Sequence, residues 1–368
     1  MQIAIVGLAG SGKTTVFNTL TRGHAETGGY GGVTLNVGVV KVPDARLDTL
    51  AGIFKPKKIV QADVTYVDLP APPASSEGHI GTEELPADHL ARLRDSDALL
   101  HVVRAFEDPS HPHPEGSVDA ARDLERLDLE FILADLAMAE RRIERLSTSG
   151  RHGTQAEREA NEREERILRA LKTSLEAGSP IRDVDLEPDD EKQIRGFRFL
   201  SQKPVLVLLN VGEGDLPRAS ELVASIEGSY RHRNALVDSL SARIEMELGE
   251  LPDDEAAVFR ADLGLTDDSS LERVIRLSYQ LLGLISFFTA GADETRAWTI
   301  TDGSSAVDAA GAIHSDLARG FIRAEVVDWQ DLLELGSMAE ARKRAKLRSE
   351  GKTYRVRDGD VIEILFNV

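Results

Sequence analysis

Near the N-terminus the stretch GLAGSGKT, Gly7 to Thr14, places a glycine, four variable positions, then glycine, lysine and threonine. That spacing suits one chemistry, the binding of a polyphosphate. Glycines let successive backbone N–H groups curl around an anion, lysine neutralises charge at the β/γ end, and a threonine hydroxyl ligates Mg²⁺. The expected cradle is the run of amides from Gly10, Ser11 and Gly12 through Lys13, Thr14 and Thr15, with the partial positive charge of a helix N-terminus behind it. Lys13 touches the phosphates whose charge develops during transfer, so it is expected both to bind and to act in catalysis.

An enzyme of this kind needs a second carboxylate for the Mg²⁺ shell at the end of a neighbouring strand. Asp68, after the apolar VTYV, has that place. GTPases continue D-x-x-G with a glutamine next, the glycine sensing the γ-phosphate and the glutamine orienting water. Here those positions are Ala71 and Pro72, inside the run Leu69-Pro70-Ala71-Pro72-Pro73. Proline offers no donor, so a glutamine-type mechanism is excluded there. The base-reading position holds NVGE, with Asn210, Val211 and Glu213 in place of N-K-x-D, which moves the expected preference away from guanine. Ser241, opening SARIE, is the last expected base contact.

These residues need a frame. The apolar runs Ile3 to Val6, Val64 to Val67, Leu99 to Val103 and Val205 to Leu209 are separated by helix-length segments. Short apolar runs so spaced predict an α/β fold, a P-loop nucleotide-binding domain with a mainly parallel sheet. Between the third and fourth runs, Leu129, Ile132, Leu136, Ala139, Ile143 and Leu146 alternate spacings of three and four, the stripe of a coiled coil. A second charged helix follows with Ala160, Ile167, Leu171 and Leu175 on one side, so an α-helical coiled-coil hairpin is expected as an insertion. From Leu284 onward strand-length pieces with glycine and aspartate turns predict a small α+β domain. The expected division is 1–124 and 201–283 for the nucleotide domain, 125–200 for the hairpin, and 284–368 for the C-terminal domain.

Composition narrows the partners. The chain has 368 residues and a net charge of −19, which argues against a protein that coats nucleic acid over its whole surface. RNA contacts would be local, and Arg342, Lys343, Arg344, Lys346 and Arg348 in ARKRAKLR are the candidates. There is no cysteine, which removes thiolate zinc sites and cysteine nucleophiles together. The longest apolar stretch, Leu281 to Ala290, is about half of the roughly 20 residues a membrane helix requires. A cytoplasmic protein with no membrane or DNA partner is expected.

The chain resembles the Obg-like ATPase family, also called the YchF family, over nearly its whole length. The resemblance rests on NVGVVKVPDARLDTLAGIFKPKKIV from Asn36, DALLHVVRAFED from Asp97, NVGE, and the C-terminal runs FFTAG, RAWTI, AAGAIHSDLARGFIRAEVV and EGKTYRVRDGDVIEILFNV. It implies a translation-factor-type nucleotide domain, a coiled-coil insertion, and a C-terminal TGS domain of β-grasp type. It also implies hydrolysis of ATP in place of GTP, and association with the ribosome or its RNA through the TGS and helical domains. In that family a histidine on a loop after the HVVR strand is implicated in catalysis; in AFEDPSHPHPEG the corresponding residue is His113, with His111 two positions away.

The chain departs from the family pattern at three places. Its phosphate loop lacks the asparagine of G-x-P-N-V-G-K-S. Gly32 stands where the first switch has threonine, with Thr34 nearby and Gly31 in place of a cysteine. DLPAPP replaces D-I-A-G-L-V. Three readings stay open: a slow Mg²⁺-dependent ATPase gating contact with the ribosome, a nucleotide-dependent binding module with negligible hydrolysis, and a GTP-preferring form.

Overall fold

The computed structural model describes residues 1–23, 35–69, 87–149, 154–265 and 269–367. These fall into two compact units, Met1–Gly38 with Thr65–Leu271 and Val39–Val64 with Glu272–Val368. In chain order the described strands are β1 (Gln2–Val6), β2 (Asn36–Lys41), β3 (Lys58–Val60), β4 (Asp63–Asp68), β5 (Ala98–Ala105) and β6 (Val205–Val211). They continue with β7 (Ala235–Leu240), β8 (Leu284–Ala290), β9 (Glu294–Thr301), β10 (Phe321–Asp328), β11 (Arg348–Glu350) and β12 (Asp360–Phe366).

The first unit is built on a sheet of order β2-β4-β1-β5-β6-β7. Strand β1 lies parallel between β4 and β5, and β5, β6 and β7 continue in parallel. All of β6 is buried, as a strand covered on both faces must be, which is why VLVLLNV reads as one apolar run. Parallel strands leave their C-terminal ends on one edge, where α/β sheets bind ligands. Gly7, Asp68, Arg104 and Asn210 all lie at or just beyond such ends.

The helical hairpin is formed by Ala120–Ser149 and Gln155–Glu176. Thr154 caps the second helix through a reciprocal pairing with Glu157. Ile132, Ala139, Ile143 and Leu146 pack with Ile167, Leu168, Leu171 and Leu175, together with Ile181, Ile194 and Phe199. Two stripe positions differ from expectation: Leu129 is 49 % exposed and Ala160 is exposed. The first turns of the long helix put Leu124, Leu127 and Phe131 into the core of the sheet, so the face that would carry Leu129 is turned to solvent there. The buried Asp135 ties the hairpin base together, accepting from the backbone N–H of Leu200 (3.1 Å) and Ser201 (2.7 Å) and from the Ser201 hydroxyl (2.8 Å).

The second unit has a sheet of order β11-β10-β12-β8-β9-β3. β8 and β9 form an antiparallel hairpin, β12 returns parallel to β8, and β10 runs antiparallel to β12. The helix Ala306–Ile313 buries Ala306, Ala309 and Ala310, side chains small enough to let it sit close against Phe287, Val326 and Ile362. A first hairpin followed by a helix and a last strand parallel to the first is the β-grasp arrangement.

Residues 39–64 lie within the span expected for the nucleotide domain, yet they belong to this second unit. Strand β3 adds to its sheet parallel to β9. Arg46, in the helix Ala45–Phe54, pairs with its N-cap Asp44 (2.8 Å) and with Asp358 (2.6 Å), and its guanidinium lies 5.3 Å from the Phe288 ring centre. Asp358 in turn accepts from the Ser286 N–H at 2.9 Å. The sequence separation between Arg46 and Asp358 is why this membership was not legible in chain order.

The basic segment lies beside acidic side chains. Arg342 pairs with Glu325, Lys343 with Glu340, Lys346 with Asp331, and Arg348 with Glu350 and Asp360. Carboxylates opposite these cations cancel much of the local potential that a phosphate backbone would feel. Among the described residues no helix is long and apolar enough to cross a membrane.

Candidate functional site

The phosphate loop leaves β1 and enters the helix Lys13–Thr21. Gly12 sits at φ 90°, and a Cβ there would fall 2.3 Å from Nδ2 of Asn210, so only glycine fits both the conformation and the space. The Lys13 ammonium donates to the carbonyls of Gly7 (2.7 Å) and Leu8 (2.8 Å). Burial lowers its pKa to about 8, with Asp68 acting in the opposite direction. A cation held by carbonyls alone is poorly compensated, and an incoming phosphate would improve its surroundings.

Asp68 is 1 % exposed at the end of β4. The Thr14 hydroxyl donates to its Oδ2 at 3.1 Å, and the Asn36 amide donates to the same oxygen at 3.3 Å. Its Oδ1 is buried without a hydrogen-bond partner. A threonine hydroxyl beside a carboxylate that retains an unused buried oxygen fits Mg²⁺, a hard cation that keeps several waters and takes few protein ligands. Pro70, Ala71, Pro72 and Pro73 lie outside the described residues, as do Gly31, Gly32 and Thr34.

Asn210 closes the other side. Its Nδ2 donates to the Ser11 carbonyl (3.0 Å) and its Oδ1 accepts from the Ala242 N–H (3.0 Å). The side chain therefore clamps the phosphate loop to the start of the helix Ala242–Gly249, a positioning role beyond the expected contact with a base. Ser241 is buried beside that clamp, Val211 is buried in β6, and Glu213 is exposed at the turn that follows.

The structure places His113 differently from a side chain poised to meet water. It is 8 % exposed; Nδ1 accepts from the Glu115 N–H at 3.1 Å and Nε2 meets Asp123 Oδ2 at 2.8 Å. Oδ1 of Asp123 is occupied by Arg122. Both ring nitrogens are thus spent on protein in this conformation. His111 is the exposed histidine of the loop, with Nδ1 2.9 Å from Asp108 and its carbonyl accepting from Arg104 at 2.9 Å.

Sequence reasoning missed three participants: Asn36, Asp123 and Arg104. Arg104 carried a usable signal. It lies next to the end of the largely apolar strand ALLHVVRA, where a buried cation is rare unless it has a task.

The chain is similar to known proteins over its whole length. Residues 2–135 match a family model described as a 50S ribosome-binding GTPase. Residues 284–367 match the model of the YchF GTPase C-terminal region, described as a protein of unknown function (DUF933). The chain is 42% identical to the ribosome-binding ATPase YchF of Bacillus subtilis over 372 aligned residues, covering all of both chains. It is 38% identical to that of Escherichia coli O157:H7, over all of this chain and 99% of the relative. Its fold matches the solved structure of the Schizosaccharomyces pombe YchF GTPase with a TM-score of 0.84 and 30% identity, covering 99% of this chain and 97% of the other. A phosphate loop clamped by Asn210, a β-grasp unit at the C-terminus and full-length likeness to these proteins lead to one conclusion: the chain belongs to the YchF family.

Proposed function

We propose that this protein is a P-loop ATPase whose nucleotide state gates its association with the ribosome. The observation that carries the nucleotide reading is the Thr14–Asp68 contact beside the clamped phosphate loop. The relatives' names, ribosome-binding ATPase, support the partner and the nucleotide. In this reading the amides of Gly10 to Thr15 and the Lys13 ammonium hold the phosphates. Thr14 and Asp68 hold Mg²⁺, which when bound neutralises charge on the phosphate oxygens. Asn210 keeps the phosphate loop and the segment at Ser241 in register, and Val211, Glu213 and Ser241 surround the base.

His113 takes part in water attack only once it leaves Asp123, so turnover is slow and depends on a change in the 106–113 loop. That same pairing favours a second reading, a nucleotide-dependent binding module with negligible hydrolysis. Both readings include tight Mg-nucleotide binding, and in both the C-terminal unit and the helical hairpin are the surfaces that would meet the ribosome.

The test is a competition titration of ATP against GTP, followed by multiple-turnover hydrolysis with and without ribosomes. ATP should win, and ribosomes should change the rate. A preference for GTP above about tenfold, roughly 1.4 kcal/mol, overturns the adenine assignment. Absent turnover under both conditions leaves the binding module as the function.

A further inference from the structure

Arg104 and Asn210 are register partners on the neighbouring parallel strands β5 and β6. Each supports the phosphate loop from below at a glycine: Asn210 at Gly12, Arg104 at Gly10. Gly10 sits at φ 75°, and a Cβ there would lie 3.3 Å from Arg104 Nη1. Arg104 is 2 % exposed. Its Nε donates to the Phe106 carbonyl at 3.1 Å, its Nη2 donates to the His111 carbonyl at 2.9 Å, and its centre lies 4.7 Å from the Phe106 ring centre.

None of these contacts is with an anion. Among the described residues the hydrogen-bond partners of Arg104 are carbonyls and not carboxylates, whereas the buried Arg182 pairs with Asp128 at 2.9 Å. A buried guanidinium keeps its charge and is costly without a counter-charge. The phosphate loop above it is built to receive a polyanion. One edge of Arg104 faces that loop while its other nitrogens hold both ends of the segment 106–111, directly before His113.

We propose that Arg104 is a positioning residue that couples occupancy of the phosphate loop to the order of the 106–113 loop. Bound phosphate charge completes the electrostatics of the guanidinium, and the guanidinium then holds the Phe106 and His111 carbonyls more firmly. Its fork geometry matters as much as its charge, since one side chain must reach two carbonyls while keeping a third edge toward Gly10. The inference rests on the nucleotide-binding reading given above.

The experiment uses the full chain and Mg·ADP, a nucleotide that is not consumed. Hydrogen exchange of residues 106–113 is followed with and without Mg·ADP, beside the Mg·ADP dissociation constant, for the natural protein, Arg104→Lys and Arg104→Met. In the natural protein Mg·ADP should slow exchange across 106–113. Arg104→Met should weaken Mg·ADP at least tenfold and abolish that slowing. Arg104→Lys keeps the charge without the fork, so it should recover most of the affinity and little of the loop protection, a split that a merely structural arginine does not produce.

If Arg104→Met fails to fold, Arg104→Lys and the natural protein still decide the matter. Loop exchange that ignores Mg·ADP in the natural protein overturns the coupling, and so does a lysine variant matching the natural protein in both measurements. Failure of the natural protein to bind Mg·ADP at all overturns the nucleotide-binding reading and this inference with it. Binding with an indifferent loop overturns only the inference.

Discussion

Nε2 of His113 lies 2.8 Å from Oδ2 of Asp123, ten residues further along the chain, and both side chains are buried at the start of the long hairpin helix. This pairing fixes the end of the 106–113 loop to the insertion. It also withdraws the ring from solvent, where a residue that orients water would have to act. The phosphate loop is clamped by Asn210, and the histidine is held in a structural contact.

The first prediction separates the two roles of that contact. Asp123→Ala releases the ring and removes a buried acceptor, so it should cost about 1–3 kcal/mol of stability while turnover persists. His113→Ala should cost a similar amount and reduce turnover at least tenfold. Thermal unfolding and steady-state phosphate release on the two variants read this out. Equal turnover in His113→Ala and the natural protein would confine the histidine to the structural role.

Asn210 supplies the second prediction. Because its amide bridges the Ser11 carbonyl and the Ala242 N–H, Asn210→Ala leaves two buried backbone groups without partners, a loss of roughly 1–3 kcal/mol. Where that loss falls on the nucleotide-holding conformation of the loop, it weakens nucleotide binding by about tenfold to hundredfold. The weakening should be alike for ATP and GTP, because the clamp acts on backbone and not on a base. Titration of the variant with both nucleotides checks this; a loss confined to ATP would return Asn210 to base recognition.

The third prediction follows from Lys13. Its ammonium loses its proton near pH 8 in the free site, chiefly because it is buried, and bound phosphate anions hold that proton on. Below about pH 7 the lysine is already charged and contributes no pH dependence. Above pH 8 binding must take up a proton, so affinity should fall by about tenfold per pH unit. Calorimetric titrations between pH 7 and 9.5, in buffers of different ionisation enthalpy, would show the proton uptake. A dissociation constant flat across that range would mean that Lys13 keeps its proton in the free protein.

How much of this was legible beforehand depends on the range of each interaction. The phosphate loop was readable because its chemistry is local: glycines, lysine and threonine within one turn, after a strand and before a helix. Asp68 was readable as the end of an apolar strand. Arg46 with Asp358 was not, because the pair joins a helix to the turn before β12 across 312 residues of chain. Leu129 looked like coiled-coil core because its spacing continues the heptad, but the same helix changes neighbours along its length. His113 follows the HVVR strand as its spacing indicates, and its burial against Asp123 was not legible. Nothing in the spacing announces that the aspartate ten residues on will take the ring into the core.

The last prediction concerns His101, which lies on β5 and is 1 % exposed, with Nδ1 lacking a partner. Burial is the main cause that lowers its pKa from 6.5 to about 4; Lys13 and Arg182 add to the shift and Asp128 opposes it. The folded protein therefore resists protonating a ring that the unfolded chain protonates readily. Stability from this residue is fully present above pH 6.5 and is lost as pH falls from 6.5 toward 4, at about 1.4 kcal/mol per pH unit and about 3 kcal/mol in all. His101→Met fills the space with a side chain that does not titrate. Urea midpoints measured from pH 7.5 to 4.5 should fall more steeply for the natural protein than for the variant, by close to one proton's worth of slope below pH 6. Parallel slopes would mean that the ring finds a proton-accepting partner in the folded state, and the sheet beneath the phosphate loop would then tolerate a charge that its burial argues against.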